Sequence, residues 1–429
     1  MAIIGLRSTN PEFSYIIRKN PESGMLIRSI RKGLGFGWYL DAQCFNVYFK
    51  DADTEVSYKR EKDEQFEYLN ISRYNTPLFV INAISEFFAS AFKEKHECDV
   101  KGYQHSFFIN MIHIDRLRYL EIFQRHFPNV MFIYDNLAHK SYKLEISTTE
   151  NVYYLIHMVN VFCIFMAMFA PEYLDISDAS LEKAIRSIKV IDAPFYIRSL
   201  FVVNFLKSRS NFNKYKSSLE ETDRYEIEFA FGDTAMQRRE LIREQLAFDK
   251  PILDIGCGEG YYAVPFAAKL DHHHYYAIDI DPDILAVVEK KASRCDIENL
   301  LLFSSFNAFL ETYNGEIVDV ILTEVIEHMP LNQARILIEK ILEAIHFDTF
   351  IVTTPNADFN QFYEIANKFR HDGHDWEMGK TDFFVWVVDI LNNYSCCYEF
   401  VAIGDKVNGI STSQGFIVKN GHTLKKGEQ

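Results

Sequence analysis

At 429 residues the chain is too long for one hydrophobic core, which stops growing near about 250–300 residues, so at least two domains are expected. Hydrophobic residues make up 48% and charged residues 24%, with 37 Phe and 24 Tyr, which excludes a disordered or collagen-like chain. Charge is divided unevenly: residues 1–220 hold 27 basic and 25 acidic side chains, leaving 18 and 35 for residues 221–429. An acidic second half argues against gripping an extended duplex by phosphate neutralisation, but not against holding a short nucleic-acid end. The opening MAIIGLRSTN has no secretory pattern, so a cytoplasmic protein is expected. Seven cysteines without a CxxC pair argue against a disulfide framework and a zinc ribbon.

In chain order, residues 76–93 read as a helix. Residues 151–170 (NVYYLIHMVNVFCIFMAMFA) carry no formal charge and are long enough to span a bilayer. Asn151, His157 and Asn160 inside the run, and no basic cluster on one flank, favour a buried core helix over a membrane span. Residues 180–207 have apolar positions at helical spacing, so the first half reads as α+β. Residues 208–224 (KSRSNFNKYKSSLEETD) are polar and serine-rich, as in an interdomain connection. The expected domains are therefore 1–220 and 221–429. From 251 onward, apolar runs at 251–255, 275–280, 300–304, 318–323 and 349–354 alternate with helix-length segments and predict a parallel sheet. Runs at 398–404 and 415–420 predict a hairpin appended to its edge.

The first of these strands leads into Asp254-Ile-Gly-Cys-Gly-Glu-Gly260, and a helical segment follows. Gly256 and Gly258 allow a tight turn with close backbone approach to a ligand, and Gly260 lets the helix start against the strand. Asp279, at the end of the second strand, is placed to accept hydrogen bonds from ribose hydroxyls. The spacing is G-x-G-x-G, whereas a dinucleotide site uses G-x-G-x-x-G. The segment resembles motif I of class I (Rossmann-like) S-adenosylmethionine-dependent methyltransferases, which implies S-adenosyl-L-methionine as cofactor, with an NAD-type site as the competing reading.

After the fourth strand the chain reads Thr323-Glu-Val-Ile-Glu-His-Met-Pro330, and a helical turn there would put Glu324, Glu327 and His328 on one face. Alone, this segment suits a metal site or a metal-free small-molecule O-methyltransferase equally well. A second cluster, Phe369-Arg-His-Asp-Gly-His-Asp-Trp-Glu377, adds His371 and His374. Carboxylates with imidazoles suit Mn²⁺, Co²⁺ or Fe²⁺ better than Mg²⁺.

Together with Thr354-Pro-Asn356, these segments resemble the HEN-type 3′-terminal RNA ribose 2′-O-methyltransferases, whose pattern is E-V-I-E-H, T-P-N and R-x-x-D-H-x-F-E-W. The resemblance covers residues 250–384 closely and, through FSYIIRKNPES, VINAISEFFASAF and KLEISTTENVYYLIHMVNVF, extends to the first half of the bacterial RNA-repair members. It implies Glu324, Glu327, His328 and His374 as metal ligands, with His371 the competitor for the last role. It also implies Asp254, Gly256, Gly258, Gly260 and Asp279 around the cofactor and Ser305 on its adenosine. Its implied substrate is an RNA 3′ end with a free 2′,3′-diol, and its implied partner is a polynucleotide kinase-phosphatase-ligase. His371 is a candidate proton acceptor, and Arg335, Lys340, Lys368 and Arg370 are candidate phosphate contacts. Gly373, Trp376 and Met378 depart from the family pattern; Gly373 stands where the family has an acid that would orient the neighbouring histidine.

Overall fold

The computed structural model describes residues 2–30, 33–50, 74–363 and 369–420. The chain divides into two compact units, Met1–Arg198 with Glu221–Arg224, and Ser199–Glu220 with Tyr225–Gln429. The polar stretch read as an interdomain connection holds a helix, Arg209–Glu220, because Phe212, Tyr215 and Leu219 recur at helical spacing and are buried.

In the first unit, seven strands form one antiparallel sheet in the order β2-β3-β4-β1-β5-β7-β6. They are β1 (Ala2–Ser8), β2 (Leu26–Ile30), β3 (Gly33–Asp41), β4 (Cys44–Lys50), β5 (His105–His113), β6 (Val130–Ala138) and β7 (Ser141–Thr148). The helices Pro77–Phe87 and Ala89–Lys93 replace the single helix expected over 76–93. The apolar run forms the helix Val152–Phe169, which among the described residues is the one long and apolar enough to cross a membrane; 72% of it is buried within the fold. Its three polar residues are all used. Asn151 caps the helix by accepting from the Tyr154 N–H at 2.8 Å, while His157 Nδ1 and Asn160 Nδ2 meet the Ser187 hydroxyl at 2.8 and 3.0 Å. Burial, with Arg186 nearby, lowers the His157 pKa to about 3, so the ring is neutral there.

In the second unit, eight strands run in the order β11-β10-β9-β12-β13-β15-β14-β8. Strands β9 (Ile252–Ile255), β10 (Tyr275–Ile278), β11 (Leu300–Phe303), β12 (Val318–Thr323) and β13 (Phe347–Pro355) are parallel, as expected. The hairpin of β14 (Cys396–Val407) and β15 (Ile410–Asn420) joins antiparallel to β13. A two-residue strand, β8 (Ile227–Glu228), pairs beyond β14 and has no sequence signal of its own. Apolar residues alternate between two covered faces: Leu253, Val320, Leu322 and Val352 pack on one side, Ile252, Ile321 and Ile351 on the other. A sheet covered on both faces leaves the carboxyl ends of its strands as the open rim where ligands bind.

Phe162 is fully buried in the first unit, against Phe123 and Phe132 with ring centroids at 5.2 and 5.5 Å. Phe162→Ala is expected to destabilise the protein by about 3–5 kcal/mol through the cavity it leaves, measured by denaturant unfolding; a loss below about 1 kcal/mol would refute this packing.

Candidate active site

The glycine loop leaves β9 and turns across the end of β10. Gly256 and Cys257 N–H groups donate to the Ile278 carbonyl at 2.8 and 2.9 Å, and the Gly258 N–H donates to Asp279 Oδ2 at 3.0 Å. The backbone of Gly256 is left-handed at φ +78°, and a Cβ there would sit 2.2 Å from Val325 Cγ2, so the loop packs directly on the Glu324–Glu327 segment. At Gly258, φ is +51° and the space beside the Cα is open, which is the close backbone approach a nucleoside ligand needs. Asp279 also accepts from the Asp281 N–H at 3.0 Å, yet each carboxylate oxygen keeps a second lone pair for a ribose hydroxyl. Asp254 is fully buried: Oδ2 accepts from the Tyr275 hydroxyl at 2.8 Å, and Oδ1 has no partner. Burial raises its pKa to about 7, opposed by the Tyr275 hydrogen bond and reinforced by the Asp279 charge.

The acid segment is not the helical turn expected from its spacing. Glu324 adopts a left-handed backbone, φ +55°, with its N–H held by the Thr353 carbonyl at 3.0 Å, and a short 3₁₀ turn follows over Ile326–His328. One carboxylate oxygen of Glu324 meets Arg238 Nη2 at 2.9 Å and the other accepts from the Thr353 hydroxyl at 3.1 Å. Arg238 is buried on the helix Thr234–Gln245, where its Nη1 and Nη2 also lie 3.4 Å from the Tyr262 and Ser413 hydroxyls. Glu327 is fully buried; Oε2 accepts from the Thr354 hydroxyl at 3.2 Å, while Oε1 has no partner. Burial, and then the Glu324 charge, raise its pKa to about 8, against the pull of Thr354 and Arg238.

Among the described residues, His328, His371 and His374 form the group able to share an ion, one ligand atom from each lying within 4.8 Å of the others. Glu324 and Glu327 lie outside that group and are held by Arg238 and Thr354. His328 Nδ1 is 3.0 Å from the Gly373 carbonyl, and His374 Nδ1 is 2.6 Å from Glu377 Oε1. Both partners accept, so both Nδ1 atoms donate, and in the neutral rings Nε2 is the atom with the lone pair. The orienting acid missing at Gly373 is thus supplied by Glu377, which also accepts from the Arg370 N–H at 2.8 Å and Asn360 Nδ2 at 2.6 Å. Imidazole lone pairs and an unpartnered buried carboxylate oxygen are donors that fit a divalent ion of the Mn²⁺, Co²⁺ or Fe²⁺ type.

Other candidate residues have structural occupations. Ser305 caps the helix Phe306–Thr312 by accepting from the Ala308 N–H at 3.1 Å. Arg335 pairs with Glu339 and Asp389 at 2.9 and 2.8 Å, and Lys340 bonds Asn307. Arg370 is half-buried and donates to the carbonyls of Thr412 and Asn356. Lys368 lies outside the described residues. Arg238 had no sequence signal separating it from Arg239 and Arg243 on the same helix, whereas Glu377 stood inside the quoted motif without an assigned role.

The Hen1 N-terminal domain family matches residues 3–224, more than half of the chain. The chain belongs to the Hen1 family. A methyltransferase domain family matches residues 252–346, so the second unit of this Hen1-family chain is a class I methyltransferase fold and the first is the family's α+β unit. A small RNA 2′-O-methyltransferase of Caenorhabditis elegans is 26% identical over 128 residues, covering 27% of this chain and 29% of that protein. Another from Tetrahymena thermophila is 25% identical over 186 residues, covering 39% and 44%. The chain therefore spans less than half the length of either relative. A solved Pnkp1/Rnl/Hen1 RNA repair complex contains a chain similar over 97% of this one and 100% of its own length, at 25% identity and a TM-score of 0.80.

The raised pKa of Asp254 has a definite sign. The folded protein holds this proton more tightly than the unfolded chain, so the group's contribution to stability is full below about pH 4 and is lost as pH rises through about 7. Asp254→Asn is expected to remove that part of the decline in melting temperature of the cofactor-free protein between pH 4 and 7; an unchanged pH profile would refute the assignment.

Proposed function

We propose that this chain transfers a methyl group from S-adenosyl-L-methionine to the 2′-hydroxyl of the 3′-terminal ribose of RNA, with a divalent metal held at Glu327, His328 and His374 and with Glu324 beside them. The observation that carries the proposal is the pair of Nε2 lone pairs on His328 and His374, fixed by Gly373 and Glu377, on a segment that packs against the open glycine cradle. The names of the curated relatives support the substrate class. We further propose residues 221–429 as the methyltransferase domain and residues 1–220 as a module serving a polynucleotide kinase-phosphatase-ligase partner in RNA repair, a reading supported by the composition of the solved complex.

In this mechanism the cradle at Gly256, Gly258 and Gly260 admits the cofactor, and Asp279 accepts hydrogen bonds from its ribose. Glu377 and the Gly373 carbonyl accept from the two Nδ1 atoms and fix how the rings are turned. A divalent ion bound there supplies Lewis acidity that lowers the pKa of a ribose hydroxyl. The ribose oxygen would attack the sulfonium methyl in line, its new C–O bond forming as the S–C bond to S-adenosylhomocysteine breaks, and its proton would pass to water. Holding nucleophile and methyl in register is the kind of positioning that can lower a barrier by about 7–11 kcal/mol.

Labelled methyl from S-adenosylmethionine is expected on a short RNA ending in a 2′,3′-diol, in the presence of Mn²⁺ and not EDTA, and not on RNA ending in 2′-deoxyribose or a 3′-phosphate. Labelling insensitive to chelator, on a hydroxylated metabolite and not on RNA, would replace this reading with a metal-independent small-molecule O-methyltransferase. Glu327→Ala is expected to lower methyl transfer by at least ~100-fold while cofactor affinity, read by calorimetry, changes by less than about threefold. Asp279→Ala is expected to do the reverse first, weakening cofactor binding by roughly tenfold or more through lost ribose hydrogen bonds. Unaltered cofactor affinity in Asp279→Ala would refute the ribose assignment.

A further inference from the structure

The third imidazole of the cluster is wired differently from the other two. His371 Nδ1 lies 3.0 Å from the Gly373 N–H and accepts from it, so Nδ1 carries a lone pair and the ring proton of the neutral imidazole sits on Nε2. The Gly373 peptide thereby fixes opposite tautomers on its two sides: its N–H leaves His371 with an Nε2–H, and its carbonyl leaves His328 with an Nε2 lone pair. With its Nδ1 turned to the Gly373 N–H, the ring presents Nε2–H, and not a lone pair, on its other side. It has a donor. His371 is exposed, with its ring centroid 5.9 Å from that of His328 and 5.5 Å from that of His374, so the donor stands at the mouth of the site.

Gly373 makes this arrangement fit. A Cβ at that position would lie 3.1 Å from His371 Nδ1, 3.3 Å from its Cε1 and 3.5 Å from His328 Nδ1, tight enough to push the ring aside. The Asp of the family pattern would need the His371 ring to give way by a few tenths of an ångström.

We propose that His371 donates a hydrogen bond from Nε2 to an oxygen of the terminal nucleotide of the RNA, held in that tautomer by Gly373, and that it is neither a metal ligand nor the proton acceptor. The inference rests on the RNA 3′-end reading above. The acceptor is the 3′-hydroxyl or a non-bridging oxygen of the last phosphodiester, both of which lie next to the methylated hydroxyl.

The test uses the full chain with S-adenosylhomocysteine and Mn²⁺, and reads the affinity of a fluorescent RNA ending in a 2′,3′-diol by anisotropy, beside Mn²⁺ affinity of the RNA-free protein by calorimetry. His371→Phe is expected to weaken RNA binding about tenfold and to leave Mn²⁺ affinity within about twofold. His371→Gln, whose amide can donate from nearly the place of Nε2 but can neither bind an ion through nitrogen nor take up a proton, is expected to restore most of the RNA affinity. Gly373→Ala keeps the imidazole and is expected to fall between wild type and His371→Phe. The Phe penalty should vanish on RNA ending in 3′-deoxyribose if the hydroxyl is read, or on RNA with a methylphosphonate last linkage if the phosphate is read. A parallel fall in Mn²⁺ affinity, a Gln variant as weak as Phe, or a penalty kept on both modified RNAs would overturn the proposal. Wild-type protein that binds RNA through His371 without methylating it would sink the methyltransferase reading alone. Wild-type methylation with RNA binding unaltered in His371→Phe would sink this inference alone, and wild-type protein that fails to bind the RNA would sink both.

Discussion

Holding two carboxylates, one of them fully buried, at the end of one strand is the constraint around which the second unit is arranged. Glu324 and Glu327 leave β12 at the open rim, Glu327 with no exposure at all, and its burial, then repulsion from Glu324, raises its pKa. A single guanidinium, Arg238, offsets part of this cost from a neighbouring helix. Breaking such a buried pair commonly costs about 3–5 kcal/mol, because the remaining charge has no water to turn to. The left-handed backbone at Glu324 belongs to the same economy of space: it turns the carboxylate back towards Arg238 and Thr353 while Glu327 continues inward to Thr354.

The imidazoles are organised by backbone and carboxylate partners that are themselves anchored. Glu377 accepts from His374, from the Arg370 N–H and from Asn360, so one buried carboxylate fixes a ring and closes a loop together. Trp376 adds a second tie, its indole N–H donating to the Met329 carbonyl at 3.0 Å, and the Asp375 N–H reaches the Glu327 carbonyl at 2.8 Å. The loop after β13 is thereby fastened to the segment after β12 by one main-chain bond and one indole bond. The imidazoles are thereby held in place by the fold itself.

Much of this was legible in the sequence, for identifiable reasons. The parallel strands are continuous apolar runs because both faces are covered, and the run 318–323 reads off at the bounds that β12 has. The glycine loop is legible because its three glycines all adopt positive φ, a constraint that leaves a mark on sequence. The helix at Arg209–Glu220 was not, since three apolar residues among twelve look like a linker until the surface that buries them is known. Helical spacing also misled at Glu324, where hydrogen bonds to the neighbouring strand override the local preference for a turn. Arg238 could not be found at all: which arginine of a helix points inward is decided by packing, and its neighbour Arg239 instead lies over the Tyr261 ring, 4.7 Å from the centroid.

The charge balance and the occupations of the basic residues point the same way about recognition. Residues 221–429 carry a net charge of −17, from 18 basic and 35 acidic side chains. Of the described basic residues considered as phosphate contacts, Arg335 and Lys340 are engaged with neighbours on their own unit, and Arg370 is spent on two carbonyls. A surface of this kind has little to offer a long polyanion, whose affinity scales with the number of phosphates neutralised. It has more to offer a single terminus, where short-range donors and lone pairs meet one ribose and contribute without regard to net charge. In the proposed reaction, selectivity for an end would follow because only a terminal nucleotide brings a free 3′ oxygen to the three imidazoles, while an internal one keeps its 3′ oxygen in the chain.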